Sequence, residues 1–337
     1  MVLRLTEKAL IRRIRHQAKA PRRRGVVRAG IGDDAAVLEC PSGFEILLTT
    51  DFSLEGVHFR REWHPPDSVG HRCLTRGLSD IAAMGGEPTA AFLSLALPSD
   101  LPQSWVDRFM SGLLRLAKQF GVPLAGGDTA ESPAGVLADI VVVGRVPAGK
   151  GLLRSGARVG DSIYVTGELG RSSWTLHQLR EGVLVALGPK GKPRYTAHEP
   201  HFYPQPRVAV GRWLRERGLA TAAIDVSDGL STDLGHICEE SGVGALVHEA
   251  AIPRPRGLPI SSLHYPLHGG EDYELLFTAP QSRPVPRKIA RVRVTRIGEI
   301  IPGRDMWLVD SHGQRERLAP RGWEHFTTSA GWTYPNG

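Results

Sequence analysis

The sequence has no uninterrupted apolar run of the roughly 18 residues that a membrane-spanning helix demands. Its N-terminus, MVLRLTEKALIRRIRHQAKA, is charged throughout and holds no apolar signal-peptide core, so a cytoplasmic location is expected. Cysteine is scarce: Cys40, Cys73 and Cys238 lie far apart with no CxxC or other metal-ligand spacing, which argues for buried thiols and against a disulfide framework or a zinc site. The familiar nucleotide fingerprints are missing as well. There is no GxxxxGK[ST] phosphate loop, GIGDDA lacks the third glycine of a dinucleotide-binding turn, and no HRD and DFG pairing occurs in a protein-kinase arrangement. Acidic residues are outnumbered, the formal net charge being +7. Even so, neither Arg22-Arg23-Arg24 nor the run RKIARVRVTR (287–296) is accompanied by a zinc-finger or RNP-type motif, and Val292 and Val294 alternate with Arg291 and Arg293 as in a half-buried strand. No nucleic-acid partner and no membrane are expected.

What the chain does have is 337 residues with 41% hydrophobic content, enough for two domains with real cores. Leu3, Leu10, Ile11 and Ile14 fall at helical spacing and predict an amphipathic first helix. Short apolar runs at 46–50, 91–97, 122–125 and 140–143 predict strands. The 103–120 segment predicts a helix whose Val106, Phe109, Met110, Leu113 and Ala117 share a face, with Gly121 as its stop. A turn-rich passage, PAGKGLLRSGARVGD, precedes the strand-like SIYVTG and places a domain boundary there. A third helix is predicted over 229–241 with Gly242 as stop, and the proline-rich 190–206 stretch reads as a loop. Alternating strands and helices indicate an α/β class fold.

Aspartates recur beside small residues at five places: GIGDDAAVL, LLTTDF, LSDIAAMGG, LAGGDTA and DVSDGLSTD. A single aspartate at a strand end is ordinarily a helix cap or a turn former. Five such places allow convergence of sequence-distant loops on one site, where crowded carboxylates are most simply reconciled by divalent cations. Oxygen donors without histidine or cysteine favour Mg2+ over zinc, and the glycines at 30, 32, 126, 127 and 229 let backbone approach a phosphate chain. His198-Glu199-Pro200-His201 looks superficially like a metal cluster, but the proline breaks the helical zinc motif. Nucleoside-triphosphate chemistry on an unusual scaffold is the expectation.

In this order, GIGDDAA, TTD followed by GVHF, LSDIAAMGG, GGDT, RSGA, DVSDGLSTDLGHI, GGEDYEL and GWEHF closely resemble the thiamine-monophosphate kinase family, from Gly30 to Phe326. That family belongs to an ATP-binding superfamily with aminoimidazole-ribonucleotide synthetase and selenophosphate synthetase. The resemblance implies an α/β fold of the α+β type with mixed sheets in two domains. Residues 1–148 would form an ATP- and Mg2+-binding domain that makes a β-barrel across a homodimer interface, and 149–337 an α/β domain completing the site. It implies phosphorylation of thiamine monophosphate to thiamine diphosphate with ATP as co-substrate. Asp34, Thr49, Thr50, Asp51, Asp80, Asp128, Asp225 and Asp228 are implied as ligands of several Mg2+ ions. Gly127, Asp128, Arg154 and Ser227 are implied at the nucleotide, and His58, Glu271 and Trp323 at the thiamine substrate. No dedicated general base is implied, because a phosphate monoester is already mostly ionised near its second pKa of about 6. Glu271 and Trp323 would suit a cationic thiazolium and a flat pyrimidine. Sister enzymes fit less well: the reactive N-terminal cysteine expected of a selenophosphate synthetase and the C-terminal cysteine of the hydrogenase-maturation relative are both absent.

Overall fold

A computed structural model of the chain describes residues 13–14, 16–18, 27–29, 37–183, 199–258 and 262–323. The predicted first helix, the GIGDDAA turn with Asp34, the greater part of the proline-rich loop and the end of GWEHF therefore lie mostly or wholly outside the described residues.

Strands β1 (Val27–Ala29) and β2 (Val37–Leu38) form a small antiparallel pair. Strands β3 (Phe44–Leu54), β4 (Glu87–Leu97), β5 (Leu124–Glu131) and β6 (Leu137–Pro147) make an open sheet in the order β3-β6-β4-β5, with only β4 and β5 parallel. The barrel is expected across the interface of two copies, and among the described residues of one chain these strands form an open sheet. Four strands are too few to curl round on themselves, and β3 and β5 remain as edges. Helices α1 (Pro66–Ala83) and α2 (Gln103–Phe120) supply the core of this half with Leu74, Leu78, Phe109 and Leu113. A buried side chain of that size contributes about 1.5–3 kcal/mol. Proline suits the start of α1, where an N–H has no intrahelical partner in any case. Gly121, at φ 67°, ends α2 as its sequence predicts.

The second half is one mixed sheet in the order β14-β13-β9-β12-β7-β10-β8, comprising β7 (Asp161–Thr166), β8 (Ala222–Val226), β9 (Gly244–His248), β10 (Glu274–Pro280), β12 (Val292–Ile301), β13 (Met306–Val309) and β14 (Arg315–Arg317), with β11 (Lys288–Ile289) paired to β12. Among these strands β9 and β13 run parallel. Around it lie α3 (Arg171–Arg180), α4 (Val208–Glu216), α5 (Leu230–Ser241) and the short α6 (His264–His268). The expected strand is found for residues 292–296, which open β12 with Arg293 and Arg296 exposed, but the basic 287–296 run as a whole is a hairpin: Ala290 and Arg291, at φ 47° and 70°, turn the chain from β11 into β12. Gly242 ends α5 at φ 68°, as expected.

The halves pack directly. Ala82 and Ala83 of α1 share an apolar cluster with Leu152, Val210, Leu214, Leu275 and Phe277. Helix α1 is also held backbone to backbone: a Cβ on Gly112 of α2 would sit 1.8 Å from the Asp67 carbonyl oxygen, and one on Gly211 of α4 would sit 1.8 Å from that of Ala82. Among the described residues, no helix is long and apolar enough to cross a membrane.

Candidate active site

Strand alternation in β3 decides which predicted ligands can meet. Leu47, Thr49, Asp51 and Ser53 face the helices, whereas Ile46, Leu48, Thr50 and Phe52 face out. Asp80, on the last turn of α1, accepts a short hydrogen bond from Thr49 Oγ1 and lies beside Asp51. From the other half, Asp225 in β8 is buried and accepts a 2.6 Å hydrogen bond from Ser79 Oγ of α1. Three acids are thus gathered at the seam between the sheets. Burial first, and then the neighbouring Asp80, push Asp51 up to about 7; the same two causes push Asp225 up to about 8, and burial raises Asp80. Asp80 lies on a helix, as LSDIAAMGG predicts, whereas Asp51 lies within a strand and not at its end.

Thr50 instead donates from Oγ1 to Asp139 Oδ1 at 2.7 Å on the outer face. Gly127 and Asp128 stand exposed on edge strand β5, where Asp128 Oδ1 accepts the Thr129 N–H at 2.8 Å. Gly127, at φ 144°, comes so close to β4 that a Cβ would lie 1.8 Å from the Leu93 oxygen. Arg154 is exposed, and its positive charge favours ionised Asp80.

The DVSDG turn joins the nucleotide and substrate candidates through backbone. Glu271 N–H donates to the Ser227 carbonyl at 2.7 Å, and Trp323 N–H to that of Asp228 at 3.0 Å. Gly322 is required at that approach, since a Cβ there would lie 2.1 Å from the Asp228 oxygen. Asp233, which is not among the ligands that the resemblance implies, is buried and accepts the N–H groups of Asp228 and Gly229 at 3.2 and 3.0 Å, tying down the start of α5. Its carboxylate also falls in one group with Asp228 and His236, ligand atoms lying within 4.8 Å of one another.

Within GGEDYEL each acid has a separate set of partners. Glu271, at φ 66°, forms ion pairs of 2.6 Å with both Arg72 and Arg76; burial alone would raise its pKa, but the two guanidinium groups hold it well below the usual carboxylate range. Asp272 accepts the N–H groups of Gly170 and Ser172 at 2.6 and 3.2 Å, so it caps α3. Glu274 pairs with Arg207 and accepts from Thr166 Oγ1 at 2.5 Å. His58 Nδ1 accepts the Leu54 N–H at 3.0 Å, folding GVHF back on the end of β3. Arg72, Arg76, Ser79 and Asp139 escaped sequence reasoning, although Arg72, Arg76 and Asp80 recur every four residues, the spacing of one helix face.

Two family models match the chain: AIR synthase related protein, N-terminal domain, over residues 32–146, and its C-terminal domain over residues 158–310. The thiamine-monophosphate kinase of Escherichia coli K12 is 37% identical over 311 residues, covering 90% of this chain and 93% of that protein. The crystal structure of thiamine-monophosphate kinase from Stenotrophomonas maltophilia superposes with a TM-score of 0.77 at 34% identity, covering 94% of this chain and 99% of that one. AaThiL complexed with AMPPCP and TMP gives a TM-score of 0.73 at 32% identity, covering 95% and 97%.

Proposed function

This chain belongs to the thiamine-monophosphate kinase family, and from that membership we propose that it transfers the γ-phosphoryl group of ATP to thiamine monophosphate, giving thiamine diphosphate. The observation that carries the reading is the seam itself, where Asp51 and Asp80 from one half meet Asp225 from the other. A relative complexed with an ATP analogue and thiamine monophosphate supports both substrates.

The donor set fits Mg2+. It consists of carboxylate and hydroxyl oxygens, and its acids repel one another in a way that a divalent cation would relieve. Thr49, Asp51, Asp80, Asp225 and Asp228 would hold it, and the proposed set is completed by Thr50 on the outer face of β3, Asp128 on edge strand β5 and Asp34, which lies outside the described residues. When bound, such ions neutralise phosphate charge for a direct in-line transfer. The protein's own part is to position: the backbone at Gly127 and Ser227 together with Arg154 at the nucleotide, and His58, Glu271 and Trp323 at the acceptor. The acceptor phosphate is mostly ionised at neutral pH, its second pKa being about 6, so no strong base is required. We further propose a homodimer, two-domain bounds near residue 148, and a cytoplasmic site of action. The dimer finds support in Ile46, Leu48 and Phe52, which are 55%, 70% and 55% exposed on the outer face of β3.

The deciding experiment is chromatographic detection of thiamine diphosphate after incubation with ATP, Mg2+ and thiamine monophosphate, with free thiamine and metal-free controls. Product that needs both the monophosphate and Mg2+ supports the reading, and none under any condition removes the acceptor assignment. Asp228→Asn is expected to lose turnover while keeping its thermal unfolding midpoint.

A further inference from the structure

Glu271 and His58 come from loops more than 200 residues apart in the chain, yet one buried side chain touches both. The Arg72 side chain is only 3% exposed. Its Nη2 donates to Glu271 Oε2 at 2.6 Å and to the His58 carbonyl at 3.3 Å, and its Nη1 donates to the His201 carbonyl at 2.6 Å. We infer that Arg72 is a positioning residue for the acceptor subsite, a single guanidinium that fastens the GVHF loop, the GGEDYEL loop and the 199–204 segment into one wall. The inference rests on the acceptor reading above.

Three features support this role over simple core filling. Arginine presents five donors in a planar fork, and here that fork reaches three chain segments that share no sheet. The Glu271 backbone occupies the left-handed region at φ 66°, a conformation that costs a non-glycine residue about 1–3 kcal/mol and persists only where surroundings dictate it. Those surroundings are Arg72, Arg76 and the Ser227 carbonyl. The third segment is anchored independently: the His201 ring lies 3.1 Å from His64 Nε2 and 2.9 Å from Ser172 Oγ, so Arg72 draws the two loops toward a fixed post. A corollary concerns charge. Both Glu271 oxygens are taken by guanidinium groups, and two arginines with one glutamate leave the trio net positive. Glu271 therefore shapes the wall and is not a free counter-ion for a thiazolium cation.

The test is steady-state kinetics on the full-length protein carrying Arg72→Gln, Arg72→Lys, Glu271→Gln or the Gln/Gln pair, with both substrates varied. Wild-type turnover comes first, because its absence would sink the acceptor reading itself and not the role of Arg72. Given turnover, Arg72→Gln is expected to raise KM for thiamine monophosphate by about tenfold or more while KM for ATP stays within about twofold. Arg72→Lys, which keeps the charge but not the fork, should recover part of that loss. The double variant should lose less than the product of the two single losses, as residues acting through one contact do. Equal changes in both KM values, strictly multiplicative losses, or an unchanged acceptor KM in a variant with wild-type thermal stability would each overturn the inference. If Arg72→Gln does not fold, the comparison of Arg72→Lys with Glu271→Gln decides by the same KM split.

Discussion

At the scale of single residues, the seam trades stability for function. Asp225 is buried, has one hydroxyl partner in Ser79, and is pushed up to about 8 by burial and by Asp80, Asp51 and Asp228. Asparagine has the same shape and can still accept from Ser79. Asp225→Asn is therefore expected to lower kcat by about a hundredfold or more, in the range seen when one electrostatic contact to a transition state is removed. In metal-free buffer the same variant should unfold at a higher temperature than the wild type, because one of several repelling acids is gone. Retained turnover would take Asp225 out of the site. The acids themselves were legible, since TTD, LSD and DVSDG each carry a carboxylate beside small residues. Their partners were not. Glu271 meets Arg72 across 199 positions of sequence, and nothing local to either residue announces the other.

Elements were legible where local chemistry decides them. Helix α2 begins and ends where its apolar period and Gly121 say it should. Strand β5 is the instructive exception: the apolar run 122–125 predicts a strand, but the strand runs from Leu124 to Glu131. Parallel pairing with Phe92–Leu97 of β4 satisfies the backbone of GGDTAE, so polar and small residues become strand through tertiary contact. Strand β3 raises the opposite issue, an apolar outer stripe with no cover among the described residues of this chain. Substituting Leu48, 70% exposed, by glutamate is expected to convert a dimer to a monomer in sedimentation experiments. A wild type that already sediments as a monomer at micromolar concentration would contradict the dimer.

For the whole molecule, buried neutral histidines set the acid limit. Burial, then the charge of Arg72, pushes His64 down to about 3; burial foremost pushes His71 down to about 4. Unfolded, both would take a proton near 6.5. A folded pKa below the unfolded one means that their contribution to stability is present above about 6.5 and is lost as pH falls toward 3–4. Asp51 and Asp225 titrate with the opposite sign, so the clean measurement is a difference. The unfolding temperature of His64→Gln, which gains no proton, should decline less steeply between pH 7 and 4 than that of the wild type; parallel profiles would refute this. A two-domain organisation was foreseeable from the turn-rich connector, but the packing of α1 against both halves was not, because it depends on Gly112 and Gly211 meeting carbonyl oxygens from distant turns. That packing has a consequence for adaptation. Since α1 can neither slide nor rotate without striking its neighbours' backbones, mutational routes to a different acceptor run through the loops around His58, His201 and Glu271, and laboratory evolution toward new substrates should enrich changes there while leaving the helix untouched.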